Sequence, residues 1–218
     1  MKKIWNLPVV FLIGTFLIGA GFRTAPVEDA NQILRESKAK LESLQDLSAK
    51  FSYEISNPAM RAVRKDGNVI YKGGKFVVKL NDMQVYCDGE TQWFFLPEVN
   101  EVTVQDYDPE DEFSIEYIFR VYQAAARARY DGTDQIHGAT CHKIFLAVTD
   151  PALDYHQAHV WINTTTKLLE KVALVDKKQT KTTYEFSNIE VNKGLNNEIF
   201  KFKSSDHPGV DIYDERMN

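Results

Sequence analysis

The sequence is dominated by short stretches in which apolar and polar residues alternate, separated by residues that favour turns. The clearest stretch spans residues 49–56, with apolar side chains at every second position: Ala49, Phe51, Tyr53 and Ile55. A period of two places these side chains on one face of a β-strand. Similar stretches, bounded by Gly-Gly, Asn-Asp, Asp-Gly and Asp-Pro pairs, follow along the chain. The pattern predicts about 10 to 11 strands joined as an antiparallel meander.

Two segments have helical spacing instead. Residues 27–44 carry apolar side chains three and four positions apart, and residues 113–129 place an apolar set on one helix face. A large antiparallel sheet tends to curl, and its concave apolar face must be covered. We therefore expect a mainly β (α+β) fold, built on one large curled antiparallel sheet whose concave face is covered by the two helices.

The first 21 residues have the three parts of a secretory signal peptide. Lys2 and Lys3 are followed by an almost wholly apolar run over residues 4–20, and small residues stand at positions 19–21. A membrane anchor is the alternative, but the run is at the lower limit of length for spanning a bilayer. We expect a cleaved signal peptide at residues 1–21 and one domain over residues 22–218, located in an extracytoplasmic space.

Charge and motifs argue against several functional classes. Lys and Arg number 26 against 31 Asp and Glu, for a net charge of −5, and basic residues form no long run, so nucleic acid is not an expected partner. The chain has no GxSxG, HExxH or Gly-rich phosphate loop. Cys141 and His142 are adjacent on a predicted strand and point apart, so they cannot form a nucleophile–base pair. We expect no catalytic residue, no metal site and no cofactor.

The two cysteines, Cys87 and Cys141, each lie in a predicted strand. In an oxidising compartment an even pair can form a disulfide, and two buried thiols are the alternative. Both interpretations stay open.

Three predicted strands are apolar on both faces: residues 93–96, 144–148 and 172–175. An antiparallel strand with one face in water should alternate. Either the core is two-sided, or a half-closed barrel holds an apolar ligand.

The segment DGETQWFFLP at residues 88–97, followed by NEVTV at residues 100–104, resembles a signature of the LolA family, the periplasmic carriers of outer-membrane lipoproteins. The family pattern is a D-G-x-x-x-W-x-Y/F-x-P hairpin and then a Val-rich strand. LSAKF at residues 47–51, IFKF at 199–202 and PGVD at 208–211 are also similar, and the order of elements agrees. The resemblance covers nearly all of the expected mature chain.

This resemblance implies an unclosed antiparallel β-barrel with a helical lid over the concave face. It also implies a monomeric periplasmic carrier that holds the acyl chains of lipoproteins in an apolar cavity without catalysis. Its partners would be acylated lipoproteins, an inner-membrane lipoprotein-releasing ABC transporter, and an outer-membrane receptor or the outer membrane directly. Family members latch the lid with an Arg from an Arg-Pro pair. Here the aligned residues are 71–75, in which Lys72 and Lys75 are the candidate substitutes. A lipid- or lipoprotein-binding sensor on the same scaffold, and less so a lipid- or glycan-processing enzyme, are the alternatives.

The expected lipid-binding residues are alternate strand positions together with the apolar face of the second helix. They are Phe51, Tyr53, Phe76, Val78, Trp93, Phe95, Ile118, Tyr122, Ile144, Leu146, Val160 and Ile162. The choice of strand face decides this set, because an error of one residue exchanges each strand's members for their neighbours.

Overall fold

The structure is a computed structural model that describes residues 29–109, 125–150 and 153–216. Its elements in chain order are α1 (Ala30–Glu42), β1 (Leu47–Asn57), β2 (Met60–Lys72), β3 (Lys75–Leu80), β4 (Gln84–Cys87), β5 (Thr91–Leu96), β6 (Glu101–Asp106), β7 (Ala125–Ile136), β8 (Ala139–Val148), β9 (Tyr155–Asn163), β10 (Leu169–Asp176), β11 (Lys181–Val191), two short 3-10 helices (Asn197–Phe200 and Ser204–Asp206) and β12 (Asp211–Asp214). The predicted signal peptide and domain boundary lie outside these ranges.

The strands of the described ranges form one open sheet in the order β12-β6-β5-β4-β3-β2-β1-β11-β10-β9-β8-β7. The sheet consists of two meanders, β1 to β6 and β7 to β11, joined by antiparallel pairing of β1 with β11. Only β12 departs from antiparallel pairing among the described strands, since it runs parallel to β6. The predicted mainly β, unclosed antiparallel architecture is confirmed, with twelve strands.

Helix α1 covers one face of the second meander. Asp29 caps its first turn by accepting a hydrogen bond from the backbone N–H of Asn31 at 2.9 Å. Ala30, Ile33 and Leu34 are buried and face the sheet at helical spacing. They pack against β8, β9 and β10 in one apolar cluster. We call the sheet face that bears α1 the helix face.

The second predicted helix, residues 113–129, is only partly within the described residues. Its last residues, 125–129, belong to β7, so the helical prediction is wrong there. Ala128 pairs with Leu146 and Arg129 with Phe145 on β8. Ala and Arg are good helix formers, but this intrinsic preference is small for each residue, and pairing with a neighbouring strand overrides it. Residues 113–124 lie outside the described residues.

A C-terminal segment, residues 192–210, packs on the opposite face of the first meander. Phe200 is fully buried against Val77 and Tyr86. Phe202 contacts Phe95 with ring centroids 5.2 Å apart. The opposite face of the first meander and the C-terminal segment therefore form a second apolar core.

Lys72, a candidate for the family's latch, holds this C-terminal segment. Its Nζ donates to the carbonyl oxygen of Leu195 at 2.5 Å. Lys72 pairs with Lys75 and alternates with Tyr71, which lies on the helix face. Both lysines thus lie on the opposite face of the sheet from α1. The contact of Lys72 with the C-terminal segment does not support its predicted role as a latch.

Candidate functional site

The helix face has a closed part and a half-buried part. The closed part lies under α1, where four of the predicted lipid-binding residues are 0% exposed: Ile144, Leu146, Val160 and Ile162. These side chains are packed against α1 and one another. They form the core that fixes α1 on the sheet.

Phe51, Tyr53, Phe76 and Val78, also predicted, lie on the same face beyond α1. Phe51 pairs with Gly67 on β2, and a Cβ at Gly67 would stand 2.8 Å from the Phe51 ring. A side chain at position 67 would clash with the ring, so this close approach of Phe51 to β2 requires a glycine. Phe76 is fully buried, with its ring 5.9 Å from that of Tyr107.

Half-buried apolar side chains form a band on this part of the helix face, which we call the apolar strip. It consists of Tyr53, Val78, Leu80, Tyr184 and Phe186, packed around Ala49, Phe51 and Val69. The Tyr53 and Tyr184 rings are 5.1 Å apart, and those of Phe51 and Phe186 are 6.4 Å apart. The strip crosses the junction of the two meanders and can contact an apolar ligand over several strands.

Trp93 and Phe95 do not join this set. Their register partners, Tyr86 and Gln84 on β4, lie on the opposite face, and Phe95 contacts Phe202 and His207 of the C-terminal segment. The prediction that they share a face with Phe76 is wrong, because β5 is apolar on both sides. Ile118 and Tyr122 lie outside the described residues.

On β5 the helix face instead carries Gln92 and Phe94. Gln92 pairs with Cys87 on β4 and with Gln105 on β6. It is 0% exposed, and within the described part of the chain neither its Nε2 nor its Oε1 has a hydrogen-bond partner. Gln92 is the single amide next to an apolar run, in the segment QWFFL at residues 92–96, and could have been noticed for that reason. The sequence alone does not show on which face of the sheet its side chain lies.

Both cysteines are reduced thiols in the structure. Cys87 lies in the apolar cluster of the helix face with Phe76, whereas Cys141 lies with Trp161 on the opposite face. Six strands separate β4 from β8 in the sheet order. The structure therefore favours two buried thiols over a disulfide. Burial raises the pKa of the Cys141 thiol to about 11, which keeps it protonated and unreactive.

The opposite face of the second meander carries charged groups that are paired with one another. Arg129 Nε donates to Asp131 at 2.6 Å, and the Arg129 guanidinium stacks on Phe145. The hydrogen bond from Arg129 is the main cause that lowers the pKa of Asp131. Arg129 and Asp131 thus neutralise each other, so this charged pair needs no bound ligand to explain it. Within the described ranges, no group of three His, Cys, Asp or Glu is placed to hold a metal ion.

Among the described residues, α1 is too short and too polar to cross a bilayer, and no other helix qualifies.

Residues 42–203, well over half of the chain, match the family model described as "Outer membrane lipoprotein carrier protein LolA". No curated protein matches the sequence. The fold is similar to the crystal structure of an uncharacterized conserved protein from Thermus thermophilus, with a TM-score of 0.58 and 9% identity over 86% of this chain and 100% of that chain. A putative outer membrane lipoprotein-sorting protein domain from Vibrio parahaemolyticus has a TM-score of 0.44 and 16% identity, covering 79% and 97% of the two chains. For the lipoprotein LppX of Mycobacterium tuberculosis the values are 0.48 and 13%, covering 77% and 99%.

Proposed function

The chain belongs to the LolA family of outer membrane lipoprotein carrier proteins, and on that premise we propose that it carries acylated lipoproteins across the periplasm. The apolar strip is the observation that supports this function. Each CH₂ group of an acyl chain costs about 0.8 kcal/mol when exposed to water. A protein that moves such chains through an aqueous space must therefore cover them with apolar surface.

The strip suits reversible binding better than the part under α1 does. Its side chains are half-buried, so a ligand can reach them, whereas Leu146 and Val160 are closed off by α1. In the proposed cycle the protein receives a lipoprotein from the inner-membrane ABC transporter. It releases the lipoprotein to a receptor at the outer membrane or to that membrane directly. Neither step makes or breaks a covalent bond.

A binding experiment with two adjacent substitutions on β11 tests the site. Phe186 belongs to the strip, while Ser187 points to the opposite face beside Lys50. We expect Phe186→Asp to weaken binding of a fluorescent fatty acid and of a triacylated peptide at least tenfold, because it places a charge where the acyl chain lies. Ser187→Asp should bind like the wild type. Equal binding by both variants, with unchanged melting curves, would remove the strip from the proposal.

Transport needs its own experiment. Inner-membrane vesicles containing the ABC transporter and a labelled triacylated lipoprotein are incubated with ATP and the purified protein. We expect labelled lipoprotein to appear in the soluble fraction bound to the wild type and to Ser187→Asp, and to stay in the membrane with Phe186→Asp. Acyl-chain binding without ATP-dependent release would instead favour a lipid-binding module that takes no part in transport.

A further inference from the structure

Two neighbouring turns at one end of the sheet are exposed and basic. Residues 57–65 include the turn from β1 to β2 and the first part of β2, and residues 176–181 include the turn from β10 to β11. Together they contain six Lys or Arg and one Asp, a net charge of +5, in a chain whose net charge is −5. The turns are in contact, because Nδ2 of Asn57 donates to Oγ1 of Thr180 at 3.1 Å. We call these two segments the basic tip.

Most of the positive charge of the basic tip is not neutralised by neighbours. Arg64 and Lys65 lie beside Asp66 and Asp82. The carboxylate of Asp176 accepts hydrogen bonds from two backbone N–H groups of its own turn, each at 2.8 Å. The remaining four basic residues are exposed, and within the described ranges none of them forms an ion pair: Arg61, Lys177, Lys178 and Lys181. These charges are available to an anionic partner, which they attract over a Debye length of about 8 Å at physiological salt.

Exposed apolar side chains stand among these charges. Met60 is 63% exposed and Val63 is 48% exposed. Both lie in the first part of β2, which extends beyond the end of β3, since the pairing of β2 with β3 starts at Gly67. A bilayer accommodates both kinds of side chain, because apolar ones enter the boundary between headgroups and acyl chains while long Lys and Arg side chains reach the phosphates. The basic tip thus has the composition of a surface that binds anionic membranes.

The apolar strip leads into the basic tip. Tyr53 belongs to the strip, and Ile55 follows it on the same face of β1, about 7 Å further along the strand. Ile55 pairs with Val63 on β2. Directly paired residues share a face of the sheet, so Val63 lies on the helix face at the end of the strip. An apolar path along this face therefore connects the proposed acyl-chain site with the exposed tip.

We propose that the basic tip docks the protein on a bilayer that contains anionic phospholipids, with Met60 and Val63 inserted among the lipids. Docking brings the end of the apolar strip to the bilayer surface. An acyl chain then passes between the membrane and the strip without crossing water. The passage of the acyl chain rests on the proposed function, whereas docking itself does not.

Vesicle flotation tests the docking. The purified protein is mixed with vesicles of phosphatidylcholine alone, or of phosphatidylcholine with phosphatidylglycerol. We expect it to float with the anionic vesicles, less so as salt is raised, and hardly at all with the neutral ones. The double variant Lys177→Glu/Lys178→Glu should bind the anionic vesicles at least about tenfold more weakly, because each Lys or Arg near the surface adds to the attraction.

A control variant makes the same change in net charge at the other end of the sheet. Lys75 begins β3 at the turn after β2, and Lys193 lies beside Asp46, just before β1. Lys75→Glu/Lys193→Glu should bind the anionic vesicles like the wild type. Equal losses in the two double variants would show that the vesicles respond to net charge only, which overturns docking through the basic tip.

Insertion of the apolar side chains has its own readout. Met60→Asp should weaken binding about tenfold, since it removes an apolar group from the bilayer boundary. Ile212 is 55% exposed on the edge strand β12, five strands from β2, and Ile212→Asp should bind like the wild type. An environment-sensitive dye on Met60→Cys should shift to the blue with anionic vesicles, and the same dye on Ile212→Cys should not. Cys87 and Cys141 are both 0% exposed, so the dye attaches at the new thiol.

The outcomes separate this inference from the proposed function. Phe186→Asp should still float with anionic vesicles although it binds acyl chains poorly. If the wild type binds acyl chains but no vesicle, the carrier function stands and docking is overturned. If it binds vesicles but no acyl chain, docking stands and the passage of acyl chains fails with the carrier function. Tip variants that fail only in the transport assay, with no vesicle binding by the wild type, would assign the tip to a protein partner and overturn the membrane proposal.

Discussion

Asp46 is the buried carboxylate that fastens the C-terminal segment to the start of β1. Its Oδ1 accepts from the backbone N–H of Lys193 at 2.7 Å and its Oδ2 from that of Leu195 at 2.9 Å. The hydrogen bond from Leu195 is the main cause that lowers the pKa of Asp46 below its usual 3.8. Protonation would place a hydrogen on one of these two acceptor oxygens, so the charge state of Asp46 and the position of the segment are coupled.

This coupling predicts an acid-sensitive contribution to stability. Because folding lowers the pKa of Asp46, the contribution is present above the unfolded value of 3.8 and is lost as the pH falls through it towards the folded value. We expect Asp46→Asn to be less stable than the wild type at pH 7, and the difference to shrink below about pH 4. Urea unfolding between pH 3 and 7 measures it, with the exposed Glu98→Gln as control. A difference that is constant over this range would contradict the coupling.

Cys87 and Cys141 should behave as two protected thiols. Both are 0% exposed, and they lie on opposite faces of the sheet. We expect protein purified without reductant to react slowly with a thiol reagent when native, and to expose two reactive thiols when denatured. Protein in which no thiol reacts after denaturation would instead contain the disulfide.

The sequence is least informative about the face of the sheet on which a single side chain lies. Phe51 and Tyr53 lie on one face of β1, as the alternation with polar residues predicts. On β5, Trp93 and Phe95 were assigned wrongly, because apolar residues fill both faces. The deciding fact is the position of Phe202, about a hundred residues further along the chain, and a local pattern contains no information about it.

Among the elements, the C-terminal segment explains why the first meander is apolar on both sides. Val77, Tyr86 and Trp93 are covered by Phe200 and Phe202 rather than by water. The segment has little regular structure beyond two short 3-10 helices. The segment has few apolar residues, and their contribution to stability depends on the tertiary contacts that they make with the first meander.

Truncating one of these residues should therefore be costly. We expect Phe200→Ala to lower the free energy of unfolding by about 3–5 kcal/mol, the usual range for removing a fully buried aromatic ring. Its neighbour Ile199 is 37% exposed, and Ile199→Ala should cost much less. Chemical denaturation of both variants measures the difference. Similar values for the two would show that the segment does not contribute to the core.

Strand positions were predictable where turn residues bound them. The clearest predicted strand, residues 49–56, agrees with β1 to within two residues at each end. The first half of β2 was not predicted, because it is exposed on both faces and has no alternation. Nor was β12, an exposed strand of four residues that is held by pairing with β6 and not by its own composition.

At the scale of the whole molecule, ligand binding should stabilise the fold. A ligand that binds only the native state adds about 2.7 kcal/mol at a free concentration one hundred times its dissociation constant. We expect a triacylated peptide at this concentration to raise the melting temperature of the wild type and of Ser187→Asp. The rise in Phe186→Asp should be at most about half as large, because tenfold weaker binding leaves about 1.4 kcal/mol of stabilisation. A rise of the same size in Phe186→Asp would place the ligand elsewhere.

The junction of β1 with β11 also has a consequence for the order in which the protein folds. Within each meander, neighbouring strands are close in sequence, but the junction pairs Leu47 with Val191. Closing so long a loop has a high entropic cost, and such steps are slow. We therefore expect the two meanders to form before they join. Pulse-labelled hydrogen exchange should then show the amides between β1 and β11 protected last. Tyr53 and Tyr184 meet across this junction, so no partly folded intermediate has a complete apolar strip, and the site proposed for acyl chains is completed only by the last long-range pairing.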